Sequence, residues 1–380
     1  RVMGYEARLA RARGGLRLRY FQYLALLYTE MFLDALTADP VGLLADLNRA
    51  LHEWQRREPH LRNVADFTPA DLRRVAFFMA TGSGKTLLLH VNLWQVLHYL
   101  EHGRHPEALV DRADGRRAFD NILLVTPGEG LSAQHLNELR LSGIDAVHLT
   151  DASGGAAWLG PQVKVVEIHK LAEQASGEGV SIPLESLGGC NLVFVDEGHK
   201  GTGSEAQTWK RRQQALSEAG FALEYSATFA QAIGAAGPRA KERLLGEYGK
   251  AILFDYSYRH FYGDRYGKDF RVLNLEGEGE AHAQELLVGG LLIFYQQVHL
   301  YRTHGEAYRP YNLEAPLWVF VGSSVQAMYT RGGRARSDVA AVVAFLRRFL
   351  EDDSWAVATL GRVLAGQSGC TDGDPGPDVC

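Results

Sequence analysis

The chain has 380 residues, of which 46% are hydrophobic and 22% are charged. This balance is typical of a globular protein and excludes a largely disordered one, and the length is enough for roughly two or three domains. The formal net charge is -5, so any nucleic-acid contact must use a local basic surface. Three widely spaced cysteines offer neither a zinc pair nor a disulfide framework, which favours a reduced, cytoplasmic setting. The longest apolar stretch is too short to span a bilayer, so no membrane partner is expected.

Helices are predicted for the N-terminal region, residues 1–65. The stretch from Tyr20 to Leu36 is dense in Leu, Tyr and Phe without strict alternation, which is typical of helices buried on more than one side. Asp39-Pro40 predicts a break, and the helical period resumes from Leu43 to Trp54. A basic run in this region predicts a solvated helix face, with a DNA-backbone contact as the less favoured alternative. The run consists of Arg1, Arg8, Arg11, Arg13, Arg17 and Arg19.

From about residue 70, short apolar runs alternate with helical segments. Apolar runs without alternation mark strands buried on both faces, and strands that alternate with helices mark a parallel, doubly wound sheet. The predicted strands are Val75–Met79, Asn121–Thr126, Val163–Ile168, Asn191–Asp196 and Phe221–Ser226. We therefore predict an α/β domain over residues 66–245, with its ligand at the carboxyl ends of the strands.

A connector is predicted over residues 246–312. Its segment 256–271 is aromatic and basic, and packing is favoured there over stacking on nucleic-acid bases. A long helix is predicted from Ala281 to His304. A buried strand from Pro316 to Val321 would open a further domain over residues 313–380, and the tail from Gly366 is predicted to be loose.

The first motif with chemistry is MATGSGKT, between a predicted strand and a predicted helix. Two glycines let the backbone fold so that consecutive N–H groups point at phosphate oxygens, and the helix start adds a positive dipole end. Lys85 would neutralise the β- and γ-phosphates, and the Thr86 hydroxyl would hold Mg²⁺. Met79 stands at the first glycine of the usual pattern, and a chance glycine-rich turn is the alternative. The predicted nucleotide contacts are Thr81, Gly82, Ser83, Gly84, Lys85 and Thr86.

A second motif places two adjacent carboxylates, Asp196 and Glu197, at the end of a buried strand. Side chains of adjacent residues diverge at a strand end, so Asp196 could bind Mg²⁺ while Glu197 orients and deprotonates the attacking water. A third motif, Ser226-Ala227-Thr228, follows the next strand. Its hydroxyls could link the nucleotide site to whatever docks above it, although this motif alone is a weak signal.

These three motifs, in this order, resemble the motor core of the superfamily 2 helicases, with their phosphate loop, D-E-x-H box and S-A-T motif. Within that superfamily the motif sequences are similar to those of the helicase subunit of type III restriction-modification enzymes and of related DNA-defence helicases. The resemblance covers roughly residues 15–365. The segments that carry it are MATGSGKT, LLVTPGEGL, VKVVEIHKL, VDEGHKG, EYSATF, YGKDFRVLNL and PLWVFVGSSV.

The resemblance implies two RecA-like lobes that hold ATP and Mg²⁺ between them, the first over residues 66–245 and the second beginning at residue 313. It implies that His199 couples the nucleotide to Ser226 and Thr228. Thr126, Pro127 and Gly128 match the family's first DNA-backbone motif, with the stretch near Ser132 and Gln134 following the strand. Such motors contact phosphates more than bases, so sequence preference should be weak. A partner subunit is implied, such as a methyltransferase or another defence protein.

Gln22 has two interpretations. It matches the adenine-reading glutamine that precedes the phosphate loop in the family, and a buried polar residue of a helix explains it equally well.

The chain departs from the family in its second lobe, where no match for the arginine-finger motifs is found. An arginine finger contributes roughly 10³–10⁵ in rate, so this chain is expected to bind ATP and to hydrolyse it poorly. The favoured function is an ATP-dependent DNA helicase or translocase of a restriction or antiviral defence system. Two alternatives stay open: a nucleic-acid-binding or assembly module with a silent ATPase, and an RNA-directed superfamily 2 motor.

Overall fold

The chain forms two compact units, Arg1–Lys268 and Asp269–Cys380. The computed structural model describes residues 1–112, 114–151, 162–172, 182–197, 211–228, 248–267, 272–275, 280–309, 313–320, 329–331, 334–336, 338–365 and 370–373.

The first unit is built on a sheet of seven parallel strands. The strands of this unit are β1 (Arg74–Met79), β2 (Ile122–Thr126), β3 (Ala146–His148), β4 (Val163–Glu167), β5 (Leu171–Ala172), β6 (Ile182–Pro183), β7 (Leu192–Asp196), β8 (Phe221–Ser226) and β9 (Ile252–Tyr256). Strands β5 and β6 pair separately, and the others form the sheet in the order β3-β4-β2-β7-β8-β1-β9. The predicted α/β class is confirmed, and each of the five predicted strands forms within a residue of its predicted start.

Helices cover the sheet of the first unit. They are α1 (Val2–Ala12), α2 (Tyr20–Ala38), α3 (Pro40–Arg57), α4 (Lys85–His102), α5 (Glu129–Leu141) and α6 (Tyr258–Gly263). The predicted break at Asp39-Pro40 separates α2 from α3: the Asp39 side chain accepts a hydrogen bond from the Gly42 N–H at 2.9 Å, and Pro40 is the first residue of α3. The core lies between the helices and the strands, with Leu26, Leu88 and Phe194 all fully buried.

Three arginines of the N-terminal basic run make specific contacts with neighbouring helices. Arg13 donates to Ser142 Oγ at 2.7 Å and pairs with Glu138 at 2.7 Å, and its side chain is only 13% exposed. Arg8 lies over the Trp94 ring, 4.0 Å from its centroid, and Arg1 pairs with Glu30. The expectation of a solvated face is therefore wrong for Arg13, whereas Arg1 and Arg8 are exposed and make these contacts at the surface. All three attach α1 and its following loop to the helices of the sheet.

The first unit extends beyond the boundary predicted at residue 245. Strand β9 is the edge of the sheet, next to β1, and Tyr256 stacks on Phe21 of α2 with ring centroids 4.1 Å apart. Phe261 and Tyr266 pack against the same Phe21 ring. The aromatic and basic segment is thus largely a packing element, as favoured from the sequence, and it joins α2 to the sheet because its rings need burial.

The described residues of the second unit form three helices and two antiparallel strand pairs. They are α7 (Glu280–Tyr308), α8 (Asp338–Glu351) and α9 (Asp353–Leu364), with β10 (Val272–Leu275) paired to β13 (Cys370–Gly373) and β11 (Tyr329–Arg331) paired to β12 (Arg334–Arg336). The long predicted helix is present as α7. None of the helices that the structure describes is long and apolar enough to cross a membrane.

The predicted strand from Pro316 to Val321 is wrong within the described residues 313–320. These residues have no regular secondary structure, and Leu317 and Val319 are 81% and 65% exposed. A buried strand needs a paired neighbour to satisfy its backbone groups, and no neighbour pairs with residues 313–320 among those described. The assignment of residues 313–380 to a second RecA-like lobe stays a prediction.

His90 is a fully buried histidine of α4. Its Nδ1 lies 2.8 Å from Ser142 Oγ, the same hydroxyl that accepts from Arg13. Burial lowers the pKa of His90 from 6.5 to about 3, and the nearby Arg13 guanidinium and His135 act in the same direction. The folded chain therefore keeps this imidazole neutral over a pH range in which the unfolded chain protonates it.

This difference predicts an acid-sensitive core. The contribution of His90 to stability is complete above pH 6.5 and is lost as the pH falls towards 3, because only the unfolded state takes up the proton in that window. Between pH 6.5 and about pH 5, the free energy of unfolding should fall by about 2 kcal/mol through this residue. In His90→Gln this fall in the free energy of unfolding should be absent, as measured by urea denaturation between pH 6.5 and about pH 5. A variant with the wild-type slope would contradict the assignment.

Candidate nucleotide-binding site

The loop between β1 and α4 has the geometry of a phosphate-binding loop. Gly82 and Gly84 have φ angles of 82° and 85°, in the left-handed region that favours glycine. Ser83 between them is 1% exposed, and its Oγ has no hydrogen-bond partner among the described residues. Thr81 and Gly82 are exposed, and Thr86 is half-buried. Gly84 is the N-cap residue of α4, so no side chain caps the start of this helix. Free backbone N–H groups at such a turn suit an anion.

Lys85 is the first residue of α4 and lies between the two predicted motifs. Its Nζ is 3.5 Å from Glu197 Oε1 and donates to the Met79 carbonyl at 3.4 Å. The Lys85 side chain is 11% exposed and that of Glu197 is 22% exposed. The phosphate loop and the acidic pair, which are 111 residues apart (196 minus 85) in the sequence, thus share one site.

The acidic pair diverges at the end of β7, as its position on a strand predicts. Asp196 is 8% exposed and points towards α5, where His135 Nε2 lies 2.9 Å from Asp196 Oδ2. Glu197 points towards Lys85. Its φ angle of 57° is rare for a residue with a side chain, and its N–H donates to the Tyr225 carbonyl of β8 at 2.9 Å. The chain turns sharply after Asp196 and separates the two carboxylates.

The residues present fit a divalent cation. Asp196 Oδ1 is buried and has no hydrogen-bond partner among the described residues. An unpaired buried carboxylate oxygen is costly unless something charged or polar fills the space before it. Mg²⁺ takes oxygen ligands and is commonly held by one or two carboxylates together with substrate phosphates. Asp196 and the Thr86 hydroxyl are the groups of this chain that would hold it.

The third motif lies between the first two. Strand β8 separates β7 from β1 in the sheet, and Ser226 at its carboxyl end is fully buried. The Thr228 N–H donates to Ser226 Oγ at 3.1 Å. His199, the predicted coupling residue, lies outside the described residues.

The predicted DNA-backbone motif follows β2, the strand beside β7. Thr126 is fully buried, and its Oγ1 is hydrogen-bonded to Ser132 Oγ at 2.7 Å. Pro127 and Gly128 are half-buried and lead into α5. Ser132 is 1% exposed and its hydroxyl, like that of Thr126, is bonded inside the fold, so a nucleic-acid contact from this segment stays a prediction. Gln134 is exposed.

The fold also places Gln22 against the phosphate loop. Its Nε2 donates to the Ser83 carbonyl at 2.7 Å, and its Oε1 accepts from the Arg19 N–H at 2.8 Å. A Cβ added to Gly84 would lie 2.4 Å from Gln22 Nε2 and would displace this amide, and the φ angle of Gly84 independently favours glycine. Both ends of the Gln22 amide are bonded within the fold. Gln22 therefore supports the loop from α2, and the adenine-reading role stays a prediction.

Replacing Gln22 by alanine should loosen this loop. The change leaves the buried Ser83 carbonyl without its donor, which should cost roughly 1–3 kcal/mol of unfolding free energy and should weaken nucleotide binding. Gln95→Ala is a matched control, because the Gln95 amide is also buried and donates to the Leu26 carbonyl and to Glu30, away from the loop. Urea denaturation and nucleotide titration of both variants check this. Equal losses of affinity in the two variants would contradict it.

The sequence did not single out His135, which contacts Asp196. It follows Gln134 in an ordinary amphipathic helix, and no motif marks it. The only available signal is a polar residue on the apolar face of α5, on the side of Leu139, which is also buried. Which carboxylate it meets depends on strand order, because β7 lies beside β2 only in the folded sheet.

Comparison with known proteins agrees with this geometry. Residues 47–231 match the family model described as "Type III restriction enzyme, res subunit". This segment is therefore similar to a type III restriction enzyme res subunit. The matched segment takes in the phosphate loop, the acidic pair and the third motif, together with all strands from β1 to β8. Its strands belong to the parallel sheet of an α/β fold, with the glycine-rich loop directly after β1.

Two solved structures are similar to the chain, each at 15% sequence identity. T4 UvsW matches with a TM-score of 0.26 over 61% of this chain and 42% of its own. The helicase domain of Hef from Pyrococcus furiosus matches with a TM-score of 0.31 over 68% of this chain and 49% of its own. The chain thus spans less than half the length of these two structures. No curated protein matches the sequence.

Proposed function

We propose that the chain carries the ATP-binding and ATP-hydrolysing core of a DNA-dependent helicase or translocase of a restriction or defence system. One observation carries the proposal: Lys85 Nζ and Glu197 Oε1 lie 3.5 Å apart at the carboxyl edge of the sheet, within the segment that matches the res-subunit model. Ligands of open parallel sheets bind at this edge. A lysine after a glycine-rich turn and a carboxylate beside it are the two groups that triphosphate hydrolysis needs most.

Each residue of the site has a role in this proposal. The backbone of Thr81–Gly84 and the Lys85 ammonium bind the phosphates, while Thr86 and Asp196 hold Mg²⁺. Bound Mg²⁺ supplies charge neutralisation on the phosphate oxygens. Glu197 orients the attacking water and takes its proton. Ser226 and Thr228, with His199, relay the state of the nucleotide.

The proposed track is DNA, contacted through its phosphates. Thr126, Pro127 and Gly128 stand at the carboxyl end of β2, one strand away from Asp196, so a strand held there would lie near the nucleotide. The chain is acidic overall, and such contacts are local and carry little base preference. We place the protein in the cytoplasm, with a methyltransferase or other defence subunit as its partner.

The test is phosphate release from ATP and Mg²⁺ with duplex DNA, single-stranded DNA or RNA added. DNA should stimulate the release, and the stimulation should weaken as salt is raised. Greater stimulation by RNA would replace the proposal with an RNA-directed motor. DNA binding without nucleotide binding would leave an assembly module with a silent ATPase. A longer chain that includes the arginine-finger motifs is the reference for a full rate.

A further inference from the structure

His135 is a buried histidine that contacts the predicted metal ligand. It lies in the second turn of α5 and is 2% exposed. Its Nε2–H donates to Asp196 Oδ2 at 2.9 Å, and its Nδ1 is buried with no hydrogen-bond partner among the described residues. The contact with Asp196 is therefore the one hydrogen bond found for this imidazole in the described part of the chain.

The two oxygens of Asp196 are in different situations. Oδ2 is held by the imidazole, and Oδ1 is buried without a partner among the described residues. A carboxylate with one oxygen fixed can no longer rotate freely about its terminal bond. The free oxygen then keeps one direction, towards the space that a cation would take. In many proteins, a residue that does not touch the metal orients a metal ligand through a hydrogen bond of this kind.

The helix that carries His135 also begins at the predicted DNA-backbone motif. Thr126 is bonded to Ser132 of α5, and Ser132 in turn bonds to Glu167 at the end of β4. Burial alone would raise the pKa of Glu167, but the hydrogen bonds from Ser132, His148 and Lys170 outweigh it and lower the pKa to about 2. The first turn of α5 is thereby fixed to the sheet, one helical turn before His135.

We propose that His135 is a positioning residue for the nucleotide-bound metal ion. It holds Asp196 Oδ2 so that Oδ1 faces the ion, and α5 connects this hold to the loop Thr126–Gly128. The inference rests on the proposed function, since it concerns the same site. The alternative is that His135 only fills the core beneath β7.

The test compares two amides at position 135. In His135→Gln the amide N–H reaches about as far as the Nε2–H of histidine does, so it can still donate to Asp196. In His135→Asn the side chain is one methylene shorter, and its N–H does not reach Asp196. The readout is the affinity for a fluorescent ATP analogue across a Mg²⁺ titration, which needs no hydrolysis. His135→Asn should need on the order of 10- to 100-fold more Mg²⁺, and His135→Gln should stay close to wild type. Binding without Mg²⁺ should be equal in all three proteins.

A control variant breaks another histidine–carboxylate pair of the same unit, away from α5. His52 Nε2 lies 2.7 Å from Asp66 Oδ1, so His52→Asn should leave the Mg²⁺ midpoint unchanged. Equal midpoints for the two amides at position 135, whether shifted or not, would overturn the inference while leaving the proposed function intact. Wild-type protein that binds the analogue without any Mg²⁺ dependence would overturn both. If His135→Asn does not fold, a shifted midpoint in folded His135→Gln overturns the inference.

Discussion

Lys85→Ala should weaken ATP binding on the order of 100-fold, the largest effect on nucleotide affinity expected for any single change in this chain. A hydrogen bond to a charged group contributes about 1.5–3 kcal/mol, and Lys85 would make such bonds to a multiply charged phosphate tail. The lysine is held between the Met79 carbonyl and Glu197, so its ammonium is already in place before the nucleotide arrives. Titration of the purified variant with a fluorescent ATP analogue measures the loss.

Lys250→Ala is a close control for this variant. The Lys250 side chain is 12% exposed, against 11% for Lys85, and its ammonium pairs with Asp71 at 3.3 Å. It precedes β9 and touches none of the predicted nucleotide contacts. Its removal should cost comparable stability and leave ATP affinity unchanged. If Lys85→Ala bound ATP like wild type, the assignment of the phosphate loop would have to be abandoned.

Glu197→Gln should lower the rate of ATP hydrolysis by roughly 10²–10⁴-fold while nucleotide binding persists. The amide keeps the size of the carboxylate and removes the group that takes the proton of the attacking water. It also removes the negative charge 3.5 Å from Lys85, so the ammonium loses a competitor for the phosphates and affinity should hold or rise. Phosphate release and analogue binding, measured on the same preparation, separate the two effects.

Glu138→Gln serves as the comparison, because Glu138 is also a partly buried carboxylate paired with a basic side chain, Arg13, in the same unit. Its hydrolysis rate should match that of wild type. A Glu197→Gln rate within a few-fold of wild type would assign the general base to another residue. Since this chain is expected to turn over slowly, the assay should use the DNA that stimulates it best.

The strands were predictable because they are buried on both faces. The runs at β1, β2 and β7 have a polar residue only at one end, and those at β4 and β8 are mostly apolar despite Lys164, Glu167 and Glu224. These runs could therefore be recognised without knowledge of their neighbours. The glycine-rich turn was predictable for a similar reason, since its chemistry is contained in eight consecutive residues. Both rest on information that is local in the chain.

What could not be predicted depends on contacts between distant segments. Strand β9 has aromatic and charged residues because it is an edge strand that packs against Phe21, and its pattern resembles a connector. The roles of Arg13 and His135 depend on which helix lies over which strand. A second-lobe strand at Pro316 was predicted from apolar content alone, and its exposed residues show that apolar content without a partner strand is not enough.

The backbone of Glu197 has a consequence for how this protein would respond to selection. A left-handed conformation costs a residue with a Cβ about 1–2 kcal/mol, and asparagine tolerates it better. A library ranked only by resistance to heat should therefore enrich asparagine at position 197 and discard the carboxylate along the way. At this position, a substitution that raises thermal stability would lower ATP turnover. Selection for stability alone would therefore remove the proposed activity while the fold persisted.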